Sequence, residues 1–183
     1  MPICSKDSTG AGLDNPDSLP LLRSATLDDL AALASLEARS FPPAEAADSA
    51  RMKERLQVFP DRFWLLCQGP ELLAYACGLV TDSPDLTDDM YANTRLHTPC
   101  GRWQMLFSVC TDVRFRHQGL ATRLLQEIGA QVAAEGRAGI VLTCKKGLIP
   151  LYAGAGFVDE GLSPYSSHGG VSWHQMRLVC PQA

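Results

Sequence analysis

The sequence contains no long apolar run and no basic cluster beyond the pair Lys145-Lys146. Its longest apolar stretches fall short of the roughly 18 residues that a helix needs to cross a bilayer, which argues against a membrane span. Sixteen Lys and Arg are scattered among twenty Asp and Glu, for a formal net charge of -4. Without a basic stripe to neutralise phosphates, nucleic acid is disfavoured as a partner, while mild acidity suits a cationic substrate. No CxxC pair or Cys/His spacing marks a metal site. The seven cysteines (Cys4, Cys67, Cys77, Cys100, Cys110, Cys144 and Cys180) are odd in number, widely spaced and mostly set in apolar runs. They read as reduced, buried thiols of a cytoplasmic protein. Residues 1–18 have neither a basic n-region nor an apolar h-region, so a loose tail is expected there rather than a secretory signal. Internal repeats and low-complexity segments are lacking too.

What is present is ordinary globular composition, 46% apolar and 20% charged over 183 residues, enough for one sizeable core and short for two. One domain over residues 19–183 is expected. A short strand over 20–25 leads to Thr26, a helix cap with Asp29 three residues on, and Leu30, Leu33, Ala34 and Leu36 follow at helical spacing. Phe41-Pro42-Pro43 ends that helix. A second helix is predicted over 49–58, then strands over 63–68 and 72–81 around the Gly69-Pro70 turn. Residues 82–101 read as a long, mobile surface connection with a helical turn near 88–93. Strand 103–111, helix 120–135, strand 139–144, short helix 148–155 and strands 157–159 and 171–178 complete the order. That order predicts an α/β or α+β sandwich around a mixed sheet.

The informative stretch is Val109-Cys110-Thr111 followed by Arg116-His117-Gln118-Gly119-Leu120-Ala121-Thr122. A strand ending in a turn that opens a helix presents unpaired N–H groups at the positive end of the helix dipole, a ready anion site. Gly119 and Ala121 let phosphate oxygens reach the backbone, and Thr122 adds a hydroxyl donor. About thirty residues on, Leu148-Ile149-Pro150-Leu151-Tyr152-Ala153-Gly154-Ala155-Gly156-Phe157 places one Tyr on a short helix before the next strand.

These two stretches, in this order and spacing, resemble the GNAT N-acetyltransferase superfamily. An earlier stretch, Glu37-Ala38-Arg39-Ser40-Phe41-Pro42-Pro43-Ala44-Glu45-Ala46-Ala47 with Phe59-Pro60-Asp61-Arg62-Phe63 after it, looks like the substrate-side segment of arylalkylamine N-acetyltransferases, the family that includes serotonin N-acetyltransferase. The resemblance implies the GNAT fold, a mixed central sheet of about seven strands flanked by helices on both faces. It also implies an acetyl-CoA-dependent N-acetyltransferase acting on a small primary amine, as a monomer or homodimer, with no metal. Backbone groups of Val109 and Thr111 would hold the pantetheine arm, and Arg116, His117, Gln118, Gly119, Leu120, Ala121 and Thr122 would grip the pyrophosphate. Tyr152 would protonate the departing thiolate.

One departure concerns the base. The vertebrate enzymes carry two histidines on the strand before the cradle, where this chain has Met105 and Phe107, and the vertebrate phosphorylation motif is missing, which resembles the non-vertebrate branch. An amine with a pKa of about 10 must still lose its proton. Glu45 is the first candidate for that base, Glu37 the second and a water chain the third. Phe41, Phe59, Met105, Phe107 and Trp173 are the candidate walls of an apolar acceptor pocket, at least two of which are expected to be simple core. Of the histidines, His117 is expected to point away from the phosphates, His97 to lie in the polar connection, His174 to lie on the surface, and His168 to sit in a flexible turn able to close over substrate. Two alternatives stay open: a GNAT enzyme with another acceptor (polyamine, protein N-terminus or lysine, antibiotic), and an acyl-CoA-binding sensor without turnover.

Overall fold

The structure, a computed structural model, describes residues 19–181, so the tail expected over 1–18 lies outside the described residues. Along the chain run β1 (Leu21–Ser24), α1 (Leu30–Ser40), α2 (Ser49–Val58), β2 (Phe63–Gln68), β3 (Glu71–Cys77), β4 (Val80–Thr81), β5 (Trp103–Leu106), β6 (Ser108–Thr111), α3 (Leu120–Ala134), β7 (Gly139–Cys144), α4 (Ile149–Gly154), β8 (Val158–Leu162) and β9 (His174–Val179). The approach to α1 is fixed by a reciprocal Thr26/Asp29 capping box, and the Asp48 carboxylate caps α2 by accepting the Arg51 N–H. None of the described helices is long and apolar enough to cross a membrane.

Period-two alternation sorts the central strands onto two faces. Leu65, Tyr75 and Cys77 pack with Leu33, Leu36, Met52 and Leu56 of α1 and α2. Their sequence neighbours Trp64, Leu66, Ala74 and Ala76 pack with Leu124, Leu125, Ile128 and Val132 of α3. Both faces are therefore dry, and the helices lie on opposite sides as expected.

The sheet itself departs from expectation. Residues 72–81 and 103–111 each read as one strand, and each is broken in two. One sheet runs β1-β2-β3-β6 and the other β4-β5-β7-β9-β8. β3 pairs antiparallel with β6, while β5 pairs parallel with β7. The breaks fall at Gly78-Leu79 and at Phe107, where Met105 and Phe107 still donate their N–H groups to Leu79 and Cys77. Gly78 is required there by contact, because a Cβ would lie 1.7 Å from the Met105 carbonyl oxygen. Hydrophobic pattern carries no signal for such a break, since residues 73–81 are buried throughout and 103–110 stay buried or half-buried across it.

The connection over 82–101 is packed rather than loose. Leu86 and Met90 are buried, the Arg55 guanidinium donates to the Tyr91 carbonyl and the Arg51 guanidinium to that of Ala92. Arg137 donates to the carbonyls of Pro99 and Gly101. Few apolar residues anchor the segment, so its polar composition concealed that its carbonyls are bound by arginines from distant elements.

Gly78→Ala is expected to cost about 3 kcal/mol or more of unfolding free energy, because backbone must give way to the new methyl group. Urea unfolding followed by circular dichroism measures this directly, and a midpoint equal to wild type would refute the close approach.

Candidate active site

Where the two sheets part, β6 becomes an edge. Asp112 donates its N–H to the Leu73 carbonyl on β3, and alternation along an antiparallel strand then turns the main-chain groups of Val109 and Thr111 to the unpaired side. The Thr111 carbonyl accepts from Arg116 Nε at 3.3 Å, in keeping with that orientation. These are the two residues expected to hold an extended arm.

The turn after β6 is built on Asp112, a buried carboxylate. It accepts the Arg114 N–H at 3.0 Å and the Arg114 guanidinium at 2.9 Å, and binds Arg39 of α1 at 3.1 Å. Those bonds, Arg114's first, hold its carboxyl down at about 2. Beyond it, His117 and Gly119 take left-handed backbone, with φ of 61° and 78°. Alternating backbone handedness turns successive N–H groups inward as an anion nest. Helix α3 then starts with no acidic residue in its first turn and no side-chain cap. Arg116, His117, Gln118 and Gly119 are exposed, while Leu120, Ala121 and Thr122 are half-buried. No atom lies within 4 Å of where a Gly119 Cβ would project. A diphosphate-bearing carrier fits this turn: donors exposed, dipole favourable, no carboxylate in the way.

The gap between β6 and β7 opens into a cavity of about 300 Å³. Tyr152, Glu37, Glu45, Phe41, Phe107 and Trp173 all line it, as do Val109 and Ser108. Tyr152 is buried, edge-on to Phe157, and burial pushes its hydroxyl pKa well up, so the phenol stays protonated. Glu37 is fully engaged: it accepts from the Tyr75 hydroxyl, from Ser108 Oγ at 3.0 Å, from the Ala47 N–H at 3.1 Å and from Cys110 Sγ at 3.4 Å. Glu45 is different. Its Oε1 takes the Lys145 ammonium at 2.6 Å, its side chain is 5% exposed, and its Oε2 is buried without a partner.

Phe59 and Met105 are not pocket walls. Both are fully buried in the core between the first sheet and helices α1 and α2. Met105 precedes the break at Phe107 and stays in the body of the second sheet. His97, in the connection, receives the Val80 N–H on Nδ1 and packs half-buried on Phe59, and burial lowers its pKa. His174 pairs with Asp159 at 3.0 Å on β8.

Two wall residues escaped sequence reading. Tyr91, on a single turn over Asp88–Tyr91, stacks on the His168 ring at 4.7 Å and packs on Phe107 at 5.0 Å. Arg55 of α2 lies over the Phe107 ring at 4.8 Å and also lines the cavity. Only the helical turn at 88–93 was legible, without its inward Tyr. The roof is the segment around His168. Asp88 accepts from Ser166 Oγ, Ser167 Oγ and the Ser167 N–H, and His168 Nε2 meets the Glu45 carbonyl at 3.0 Å. Gly169, with φ of 68°, lies so near Glu45 that a Cβ would come within 2.6 Å of its Cγ.

Residues 97–180 match the acetyltransferase (GNAT) domain family. Among solved structures, the loading GNATL domain of CurA from Lyngbya majuscula superposes with a TM-score of 0.74 at 18% identity, over 88% of this chain and 98% of that one. The fold is the GNAT fold. The same GNAT fold appears in the ribosomal-protein-S18-alanine N-acetyltransferase from Escherichia coli, with a TM-score of 0.65 at 20% identity over 90% and 96% of the chains. It appears also in GphF, a GNAT-like decarboxylase in complex with isobutyryl-CoA, with a TM-score of 0.68 at 19% identity over 87% and 98%. A search of curated proteins gives no match. Neighbours of such different chemistry at similar identity share this frame, which therefore does not by itself fix the acceptor.

Asn and Asp both tolerate left-handed backbone and differ only in charge, so Gly119→Asn and Gly119→Asp separate electrostatics from strain. Coenzyme A should bind the Asp variant at least about tenfold more weakly than the Asn variant in titration calorimetry. Equal affinities would move the anion site elsewhere.

Proposed function

We propose that this protein transfers an acetyl group from acetyl-CoA to the primary amine of a small acceptor bearing an aromatic ring, an arylalkylamine-like substrate. The GNAT domain match and the N-acetyltransferase neighbours support an N-acetyltransferase enzyme. The observation that carries the choice of acceptor is the free, buried Oε2 of Glu45 in a cavity walled by Phe41, Tyr91, Phe107, His168 and Trp173. A carboxylate oxygen buried without a donor is costly unless a ligand supplies one, and an ammonium does so. Aromatic faces favour both rings and cations.

The turn over 116–122 would hold the pyrophosphate, and the open edge at Val109 and Thr111 the pantetheine arm. When bound, the carrier supplies an activated acetyl thioester. The protein's residues then divide the proton work. Glu45 accepts the proton that the ammonium releases, with Lys145 holding the carboxylate in place; the nitrogen–acetyl bond forms as the carbon–sulfur bond breaks, and the second proton then lost from nitrogen, like the one on Glu45, passes to solvent. Tyr152, kept protonated by burial, gives its proton to the leaving sulfur and regains one from solvent. Each such transfer contributes about a hundredfold or more to rate. Glu37, whose oxygens are already occupied by donors, ties α1 to β3 and β6 rather than acting as the base. A small acceptor is favoured over a peptide because His168 and Trp173, on the segment that Asp88 clasps, narrow the cavity from the side facing Glu45.

Tyr152→Phe should lower kcat at least about tenfold with coenzyme A affinity within about twofold of wild type. Unchanged kcat would remove Tyr152 from the reaction. In an assay of thiol release, tryptamine and phenethylamine should exceed spermidine and an alanine-initiated peptide by about tenfold or more in kcat/KM. Preference for the peptide would overturn the small-acceptor reading.

A further inference from the structure

Among the described residues, three buried side-chain polar atoms lack a hydrogen-bond partner: Glu45 Oε2, Arg55 Nε and Gln104 Oε1. The first two line the same cavity and carry opposite charge. Arg55 is 3% exposed. Its guanidinium is engaged by the Tyr91 carbonyl at 2.8 Å and by the face of Phe107, with the Cys77 thiol beside it.

Among the described residues Arg55 forms no ion pair, because the acids around the cavity are committed elsewhere: Glu37 to its four donors, Asp48 to the cap of α2, and Asp88 to the serines of the roof. A buried guanidinium balanced by one carbonyl and one ring is unusual, since burying a charge is costly without a counter-ion. Its planar fork matches a carboxylate.

We propose that the acceptor carries a carboxylate as well as its amine and ring, and that Arg55 binds that carboxylate while Glu45 faces the ammonium. The substrate class is then an aromatic amino acid rather than its decarboxylated amine. This rests on the acetyl-transfer reading above and narrows it. The cavity is bipolar, so a zwitterion supplies both a donor for Glu45 Oε2, which Lys145 leaves free, and a counter-ion for Arg55, whereas a simple arylalkylamine satisfies Glu45 and leaves Arg55 as it is. Arg55 also supports the Tyr91 and Phe107 walls, so its substitution affects every acceptor; only the carboxylate-dependent part reports on the proposal.

The test uses matched pairs with and without the carboxylate: tryptophan and tryptamine, phenylalanine and phenethylamine, 3-amino-3-phenylpropionate and 1-phenylethylamine. With the wild-type protein and acetyl-CoA, the carboxylated member of at least one pair should show a KM at least about tenfold lower. In Arg55→Gln that ratio should collapse towards one, whatever happens to the common rate, and Arg55→Lys, which keeps charge without the fork, should be intermediate. Loss of wall support alone would shift both members of a pair together. Circular dichroism establishes that each variant is folded, and the wild-type comparison stands without them. Wild-type preference for the uncarboxylated member of every pair overturns this proposal and leaves acetyl transfer to arylalkylamines intact. Absence of transfer to all six compounds rejects both.

Discussion

A sheet that stops pairing in its own interior leaves main-chain groups that something else must satisfy, and the parting of β6 from β7 is the constraint on which the rest of this structure depends. Gly78 and Phe107 are where two chain segments change sheets, and Gly78 is held there by the Met105 carbonyl. The break exposes the edge of β6, directs the following turn outward, and leaves room for a cavity below it. Open edge, exposed turn and cavity are thus consequences of one interruption in hydrogen bonding.

The chamber illustrates how burial divides apparently similar groups. Glu37 and Glu45 are eight residues apart in sequence and line one cavity, yet four donors saturate one while the other keeps an oxygen free. A saturated carboxylate is a joint, here linking α1 to two strands and to Ala47. A carboxylate with an oxygen in reserve is a reagent or a receptor. The same contrast separates Arg62, paired with Glu135 and Asp61, from Arg55, which has no acid of its own among the described residues.

Helices and the strand-to-helix turn at 116–122 were legible in the sequence because their signals are local. Thr26 with Asp29, the prolines at 42 and 43, and the run from Arg116 to Thr122 each fix backbone through neighbours a few residues away. The helix over 49–58 and the strands over 63–68 and 139–144 matched to the residue for the same reason. What escaped was decided by contacts at long range. Burial stays continuous through residues 72–81, so nothing in the pattern marks Gly78 as the crossing point. Tyr91 lies in a polar stretch with no periodicity, and its place in the wall is set by Arg55 from α2. Met105 and Phe107, two apart and both apolar, fell on opposite sides of the break, one into the core and one into the cavity.

The contact between Gly169 and Glu45 has an evolutionary side. A methyl group at 169 would collide with the Glu45 side chain, and the backbone there is left-handed as well. Drift at that position is therefore opposed twice, by its backbone whatever residue 45 is and by the side chain of Glu45 as long as it stays, so Gly169 holds its place more firmly than contact with residue 45 alone requires. Diversification towards new acceptors has an easier path through the opposite wall, where Tyr91 and Phe107 can be exchanged one at a time.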